Sequence, residues 1–209
     1  MNALYLYRKS DWGKELHYSI KSVEMYLKPD RIVVAGDKPD EDVEWIETER
    51  KKHQYDDVNN SLFVALDYLE GEDWVLMHDD FFLLEPYKPI IRHHFELFEK
   101  IKRTQIQRRE IMQKVLDVFP FSMNYSLHYP MPFKLSHMKH LFDVFKMPFS
   151  YMNAYGNYDK NFVHCHADDC KFKATTLTKN QLKGLPSFST YGEDDRFETL
   201  LKDLYESND

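Results

Sequence analysis

The segment spanning residues 73–86 constrains the fold more than any other part of the chain. An apolar run ends close to Asp79 and Asp80, and a second apolar run begins directly after them. A run of Val, Leu and aromatic residues without a polar break predicts a strand that is buried on both faces. Such strands are typical of parallel sheets covered by helices, so this segment predicts an α/β fold with two acids at a strand end.

The paired acids also suggest chemistry. Two buried carboxylates repel each other unless a cation lies between them, and burying either charge is costly. Hard oxygen ligands at a strand end suit Mg²⁺ or Mn²⁺ carrying a phosphorylated substrate. The alternative is a strand that ends in an exposed polar turn, where Asp79 and Asp80 have no functional role.

Composition narrows the class of protein. Hydrophobic residues make up 43% and aromatic residues 15% of the 209 residues, which argues against disorder. No apolar run is long enough to predict a membrane span, and the first residues lack the pattern of a signal peptide. Cys165 and Cys170 do not form a disulfide framework, so we expect a reducing, cytoplasmic setting.

The charge is distributed unevenly. The net charge of −7 does not indicate a general nucleic-acid binder. Residues 92–114, however, contain seven Lys or Arg and three Asp or Glu. This local excess predicts a surface for an anionic acceptor, formed by Lys102, Arg103, Arg108 and Arg109. The alternative is a solvated helix face with no binding role.

The first half of the chain alternates strands and helices. Strands are predicted at residues 4–7, 31–35 and 43–46 and in the run before Asp79, and helices at residues 12–27 and from an N-cap at Asn59-Asn60-Ser61 to about Leu69. This order predicts a mainly parallel central sheet with helices on both faces. Ligands bind beyond the carboxyl ends of such strands, where Arg8, Asp79 and Asp80 would lie.

The second half is less regular. One long or broken helix is predicted over residues 89–119, a strand over 121–129, and helices over 134–145 and 193–205. We expect this half to carry the acceptor side of any active site.

Several segments, in order, resemble one enzyme group. Residues 15–24, Glu-Leu-His-Tyr-Ser-Ile-Lys-Ser-Val-Glu, resemble the "ELRYSLRS" opening of Stealth-type sugar-phosphate transferases. Residues 59–61 with 74–82 resemble the "N-S … LNDDMF" region of that family, and residues 128–133 resemble its "H-x-P" strand end. Residues 155–158 and 187–190 resemble two later landmarks of small phage and bacterial relatives. His17 stands where the family has Arg, and His78 stands where many GT-A glycosyltransferases have the first acid of Asp-x-Asp.

The resemblance implies a single GT-A-like, Rossmann-like transferase domain. It implies a donor half at residues 1–86, a basic helical insertion at 87–120 and an acceptor half at 121–209. The expected donor is a nucleotide-sugar, UDP-sugar first, and the expected cofactor is Mn²⁺ or Mg²⁺. The expected acceptor is a hydroxyl of a carbohydrate or of a modified base in phage DNA.

Roles for single residues follow from this resemblance. Asp80, Asp79 and His128 are the expected metal ligands; Arg8, Asn60 and Asp79 the donor-binding residues; and His128, Asp79 and Asp195 the catalytic residues. Each has a structural alternative. Arg8 could form an ordinary ion pair, and Asn60 could belong to a helix cap. His128 could be hydrogen-bonded to the backbone, and Asp195 could interact favourably with the dipole at a helix N-terminus.

Three other functions stay open at this point. Transfer of a sugar-1-phosphate would leave a phosphodiester in the product. A nucleic-acid-associated protein would use the basic helix, with salt-dependent binding. A non-catalytic relative would bind no nucleotide-sugar. The cluster at residues 164–170 contains His and Cys, but it lacks the paired spacing of a zinc site.

Overall fold

The computed structural model describes residues 1–102 and 106–206. The strands are β1 (Asn2–Tyr7), β2 (Ile32–Gly36), β3 (Glu44–Glu47), β4 (Asp73–His78), β5 (Phe81–Leu83), β6 (Ile90–His93), β7 (Met131–Lys134), β8 (Val163–His166), β9 (Lys171–Lys173) and β10 (Ser187–Tyr191). The helices are α1 (Glu15–Tyr26), α2 (Gln54–Leu66), α3 (Leu97–Lys102), α4 (Ile106–Val118), α5 (Leu135–Val144), α6 (Tyr151–Tyr158) and α7 (Asp195–Tyr205). In the described ranges, no helix has the length and apolar character needed to cross a membrane.

The central sheet has the order β3-β2-β1-β4-β7. The first four strands pair in parallel, and β7 runs antiparallel to β4 at the edge. Along β1, Leu4 and Leu6 face the core that contains residues of α2 and α5, whereas Ala3 and Tyr5 face the core that contains α1. This period-2 alternation buries both faces. The predicted α/β fold, with a mainly parallel sheet and helices on both faces, is confirmed.

Two smaller sheets flank the central one. β10 pairs antiparallel with β5 and parallel with β9, and β6 pairs parallel with β8. A separate core places α7, through Phe197 and Leu201, against Phe82 of β5 and Phe188 of β10. The second apolar run of the 73–86 segment therefore leaves the central sheet and joins another one.

The predicted N-cap at residues 59–61 is wrong. Helix α2 begins at Gln54, with Asp56 and Asp57 in its first turn, where acidic side chains favour the helix dipole. Asn59 lies inside the helix, and its side chain bonds outward instead of capping. Its amide donates to the Phe149 carbonyl at 3.1 Å, and its Oδ1 accepts from the Phe149 amide at 3.1 Å.

The predicted helix over residues 89–119 is only partly right. Its first part is strand β6, which pairs with β8, and helices α3 and α4 follow. The expectation was wrong at residues 90–93 because a helical period was extended past Pro89 into a short β-branched run, which suits a strand.

The predicted strand over residues 121–129 is also wrong, since the segment is a loop that precedes β7. Its backbone pairs with residues 94–97 through an isolated bridge and single hydrogen bonds, and side chains of α6 bond to its other backbone groups. The Tyr125 amide donates to Asn153 Oδ1 at 2.6 Å, and the Met123 amide donates to Asn157 Oδ1 at 2.9 Å. Alternating apolar residues fit such a loop equally well, because buried backbone groups can pair with side chains.

Candidate active site

A cavity of about 300 Å³ opens at the carboxyl end of β4. Its floor includes the turn that carries Asp79 and Asp80 between β4 and β5, and its walls include residues of α2, α4, β9 and the loop before β7. A pocket where parallel strands end is the usual ligand site of α/β sheets. The two acids that the sequence singles out line this cavity, and their functional role stays a prediction.

The turn is fixed from below by helix α1. Ser19 Oγ donates to the Phe81 carbonyl, and the Leu83 amide donates to Ser22 Oγ at 3.0 Å. Tyr205 of α7 donates its hydroxyl proton to the Leu83 carbonyl at 2.8 Å. These bonds satisfy buried backbone groups of β5 and hold the residues just after the acids in one position.

Asp79 lies among other carboxylates. Its pKa is raised well above the ordinary value, first by burial and then by the charges of Asp80, Glu15 and Glu193. Glu15 is itself 5% exposed, and burial raises its pKa although Ser10 Oγ donates to both of its oxygens at 2.7 Å. Ionised carboxylates are therefore disfavoured at this end of the cavity unless a cation or a hydrogen-bond donor binds there.

Asp80 has partners of its own. Its Oδ2 accepts from Lys171 Nζ at 3.1 Å and from Ser189 Oγ at 2.9 Å. Ser189 and Lys171 face each other in the register of β10 with β9, so the sheet itself sets the spacing of the two donors. Lys171 also lines the cavity. An ammonium group is therefore placed beside the acid turn.

His78 stands directly before the two acids and is held as a neutral ring. Its Nε2 lies 3.2 Å from the Tyr151 hydroxyl, and its ring packs 4.9 Å from the ring of Phe81. Burial lowers the pKa of His78, and the charges of His128 and Lys171 lower it further against the opposing effect of Asp80. Its surroundings favour a packed, hydrogen-bonded histidine.

His128 lines the cavity from a loop and does not lie at a strand end as predicted, because β7 begins only at Met131. Its Nδ1 lies 2.8 Å from both Asp169 oxygens, and its amide donates to Asp169 Oδ1 at 3.0 Å. Burial alone would raise the pKa of Asp169, but the hydrogen bonds from His128 bring it below its usual value. Asp169 therefore orients the ring so that Nε2 is the remaining nitrogen.

The divalent ion implied by the resemblance does not fit these side chains as they stand. Within residues 1–102 and 106–206, no group of three or more His, Cys, Asp or Glu side chains is placed to hold a metal ion. Of the predicted ligands, Asp80 is bonded to Lys171 and His128 is bonded to Asp169. Asp79 shares the cavity with them, but the three do not form a coordination shell.

Arg8 forms a closed cluster beside the cavity, whose lining does not include it. Its Nε and Nη2 donate to the two Asp57 oxygens at 2.7 and 2.8 Å, and further donors reach Asp37, Thr48 and Ser61. This is the bidentate geometry expected of Arg, but with a protein carboxylate as its partner. The arrangement favours the ion-pair interpretation of Arg8, and its donor-binding role stays a prediction.

Gly36 makes room for this cluster. A Cβ atom built on Gly36, whose φ is +139°, would lie 1.9 Å from the Tyr7 carbonyl and 3.0 Å from Arg8 Nη1. Only a glycine allows this backbone conformation and this close approach.

Two further predicted residues lie away from the cavity. Asn60 is half-buried on α2, and its amide donates to the Glu49 carbonyl at 3.3 Å. Asp195 is exposed in the first turn of α7, and the neighbouring Asp194 caps that helix by accepting from the Arg196 and Phe197 amides. Neither Asn60 nor Asp195 lines the cavity. Asp195 lies where an acid interacts favourably with the helix dipole, whereas Asn60 lies inside α2 and caps no helix.

The predicted basic surface is divided. Arg103 lies outside the described residues. Lys102 pairs with Glu99 at 2.7 Å, and Arg109 is exposed on α4. Arg108 lines the cavity and lies over the Tyr55 ring at 5.3 Å. Lys100 and Arg108 add two basic side chains to the lining of the cavity, which we call its basic wall.

The cluster at residues 164–170 serves the surrounding structure. His164 and His166 lie on β8, and neither lines the cavity. Cys170 donates its thiol to the His128 carbonyl at 2.8 Å, and burial raises the pKa of that thiol to about 12. Both cysteines are free, so they form no disulfide with each other.

The fold has a counterpart among solved structures. The galactosyltransferase LgtC, in complex with donor and acceptor sugar analogs, matches with a TM-score of 0.53 at 12% identity, over 98% of this chain and 96% of that chain. An active-site mutant of LgtC matches over the same shares at TM-score 0.49 and 12% identity, and the bifunctional IspDF from Campylobacter jejuni at 0.44 and 11%, over 80% of this chain and 50% of that chain. No family model and no curated protein matches the sequence. The first match shows that the chain has the GT-A glycosyltransferase fold.

Three side chains of the site were missing from the sequence-based set. Glu15 belongs to the motif that resembles the Stealth opening, so its signal was visible but was assigned to the helix. Lys171 carries no local signal, because it reaches the acid turn only through the pairing of β9 with β10. Asp169 belongs to the site through its contact with His128, 41 residues away along the chain.

Proposed function

We propose that the protein is a glycosyltransferase that moves a sugar from a nucleotide-sugar, UDP-sugar being the first to test, to a hydroxyl group of an acceptor. The observation that carries this proposal is the position of the acid turn, Asp79-Asp80, in a cavity at the carboxyl end of β4 in a GT-A fold. The LgtC structure with donor and acceptor sugar analogs supports the same class of ligands.

Two parts of the cavity lining suit the two substrates. The acid turn, with Asp79 left without a cationic partner among the described side chains, suits the hydroxyl groups of a donor sugar. The basic wall, Lys100 and Arg108, together with the Tyr55 ring, suits an acceptor that carries negative charge. Aromatic faces and cationic side chains commonly flank carbohydrate and anionic ligands.

The transfer step needs a base and stabilisation of a leaving group. The bond between the anomeric carbon and the phosphate oxygen breaks, and its electron pair stays on the nucleoside diphosphate. A bond forms between the anomeric carbon and the acceptor oxygen, whose proton goes to Nε2 of His128. Asp169 holds the ring through Nδ1 at 2.8 Å and stabilises the imidazolium that results.

A thermal-unfolding screen tests the proposal. The protein is melted with a panel of nucleotide-sugars, each with Mn²⁺, Mg²⁺ or EDTA. A ligand that binds only the folded state increases the free energy of unfolding, by about 2.7 kcal/mol at a ligand concentration of a hundred times Kd, and so raises Tm. We expect a shift with one nucleotide family. No shift with any donor under any of the three conditions would contradict the proposal.

A matched pair of variants locates the binding. Asp80→Ala removes the acid at the end of β4, and Asp73→Ala removes an acid at the start of the same strand, where it pairs with Lys134 on the surface. The shift should disappear in Asp80→Ala and persist in Asp73→Ala. The mass of the product then separates glycosyl transfer from sugar-1-phosphate transfer, because the product of the second reaction contains one additional phosphate.

A further inference from the structure

We infer that Lys171 supplies the positive charge that stabilises the diphosphate leaving group, and that the enzyme works without a divalent metal ion. This inference rests on the proposed function, because it concerns the donor side of the same cavity. It assigns a catalytic role to a residue that the sequence did not single out.

The first argument is the position of the ammonium group. Lys171 Nζ lies 3.1 Å from Asp80 Oδ2 and lines the cavity, with its side chain 31% exposed. In the proposed function, the diphosphate of the donor lies beside Lys171, and the hydroxyl groups of its sugar face Asp79. An ammonium ion has three donors, and Asp80 takes one of them, so two can reach phosphate oxygens.

The second argument is that the position is built into the fold. Lys171 and Ser189 are register partners across β9 and β10, and both donate to the same Asp80 oxygen. Ser189 is fully buried, which fixes one side of the carboxylate. Asp80 is thereby held as an acceptor for Lys171 and positions its ammonium group over the turn.

The third argument concerns the potential metal ligands. Within residues 1–102 and 106–206, no three His, Cys, Asp or Glu side chains are placed to hold a metal ion together. Asp80 Oδ2 already accepts from Lys171 and Ser189, and His78 Nε2 lies 3.2 Å from the Tyr151 hydroxyl. The ammonium group of Lys171 therefore occupies the place beside Asp80 that such a cation would take.

The chemistry is balanced without a further reagent. As the anomeric carbon–oxygen bond breaks, the electron pair moves to the diphosphate and its negative charge grows. The Lys171 ammonium group donates hydrogen bonds to that oxygen and keeps its proton. Fixed donors aimed at developing charge in a shielded site are a principal source of rate enhancement.

The test measures binding of nucleoside diphosphates, the leaving groups themselves, by calorimetry. UDP, GDP, CDP and ADP are titrated into the protein in EDTA and then in Mn²⁺. We expect one of them to bind with the same affinity in both buffers, within about twofold. Lys171→Met should weaken that binding about tenfold to a hundredfold, the usual value of a hydrogen bond to a charged group.

Lys173→Met is the matched control, because it changes the same residue type on the same strand at an exposed position. It should leave the affinity unchanged. Lys171→Arg keeps the charge and should retain most of the binding. Unchanged Tm values without ligand show that the variants fold.

The outcomes separate the two proposals. Binding that requires Mn²⁺, or that survives Lys171→Met, overturns the role of Lys171 and leaves the glycosyltransferase proposal in place. If no nucleoside diphosphate binds in either buffer, both proposals fail. Binding in EDTA that is lost in Lys171→Met and kept in Lys173→Met supports the inference.

Discussion

Two charged clusters lie at the carboxyl edge of the same parallel sheet, and they are built in opposite ways. In the cluster around Arg8, the guanidinium pairs with Asp57 and Asp37. In the acid turn, Asp79 lies beside other carboxylates, and its pKa is raised by burial and by their charge. The first cluster is complete without a ligand. The second leaves a buried carboxyl group, whose ionised form is disfavoured, beside an open cavity, and such groups are typical of functional sites.

The comparison shows why charge at a strand end is a weak predictor of function by itself. Arg8 and Asp79 follow neighbouring parallel strands, so both were expected to meet the donor. What separates them is the set of partners brought in from α2. Asp57 in the first turn of α2 meets Arg8, whereas no cationic residue of α2 borders Asp79.

The largest effect is expected for Asp80→Asn. It removes the charge that holds Lys171, so we expect kcat/KM to fall about a hundredfold, the order found when one electrostatic contact to a transition state is lost. Hydrolysis or transfer is measured with the nucleotide-sugar that shifts Tm. Tm without ligand is measured in parallel, because the Asp80 side chain is only 23% exposed and the variant loses its ion pair with Lys171. Activity within twofold of the parent would show that the acid turn is not the reacting end of the cavity.

Arg8→Ala should give the largest loss of stability. Asp57, whose side chain is 10% exposed, would keep a charge without its partner. Breaking a buried pair in this way costs about 3–5 kcal/mol. For a chain of this size each kcal/mol lowers Tm by about 2–4 °C, so thermal unfolding should show a decrease of about 10 °C. A decrease of only one or two degrees would show that the cluster is held mainly by its other contacts.

This loss should depend on pH in a defined direction. Burial would raise the pKa of Asp57, but hydrogen bonds from Arg8 and from the Lys51 amide lower it below its usual value. A carboxyl group with a lowered pKa stabilises the fold above its unfolded value of about 3.9 and loses that effect as pH falls through the folded value. The difference between the parent and Arg8→Ala should therefore be full at neutral pH and shrink below about pH 4.

Asp79→Asn should raise the stability of the protein, whereas Arg8→Ala lowers it. Because the pKa of Asp79 is raised in the fold, its ionisation destabilises the protein once pH exceeds the unfolded value of about 3.9. Neutralising it should raise Tm by a few degrees at pH 8, and the gain should shrink as pH approaches about 4. Activity should fall in the same variant, a common conflict between stability and function. A lower Tm at pH 8 would contradict the electrostatic picture of the acid turn.

These contrasts also explain how far the sequence could lead. Periodicity along residues 4–7, 31–35 and 74–78 predicts the parallel sheet, because strands buried on both faces are apolar throughout. It also predicts that Asp79 and Asp80 end a strand. It does not reveal Lys171, which reaches Asp80 through strand pairing across 91 residues of chain, or Asp169, which meets His128. The loop at 121–129 alternates like a strand, but its backbone bonds to residues 94–97 and to the Asn153 and Asn157 side chains of α6 without forming a ladder.

The smallest effect on Tm is expected for Lys9→Ala, which is also the matched control for Arg8→Ala because Lys9 is the next residue in the chain. Lys9 pairs with Asp40 at 2.8 Å, close in length to the Arg8–Asp57 contact, but its side chain is 50% exposed and that of Asp40 is 73% exposed. Exposed pairs are screened by water and salt and lose side-chain entropy when they form. Lys9→Ala should therefore leave Tm unchanged within the error of the measurement at any salt concentration. If Lys9→Ala and Arg8→Ala lower Tm equally, the loss of stability would come from removing any charge at this strand end. The buried contacts between Arg8 and Asp57 would then not explain it.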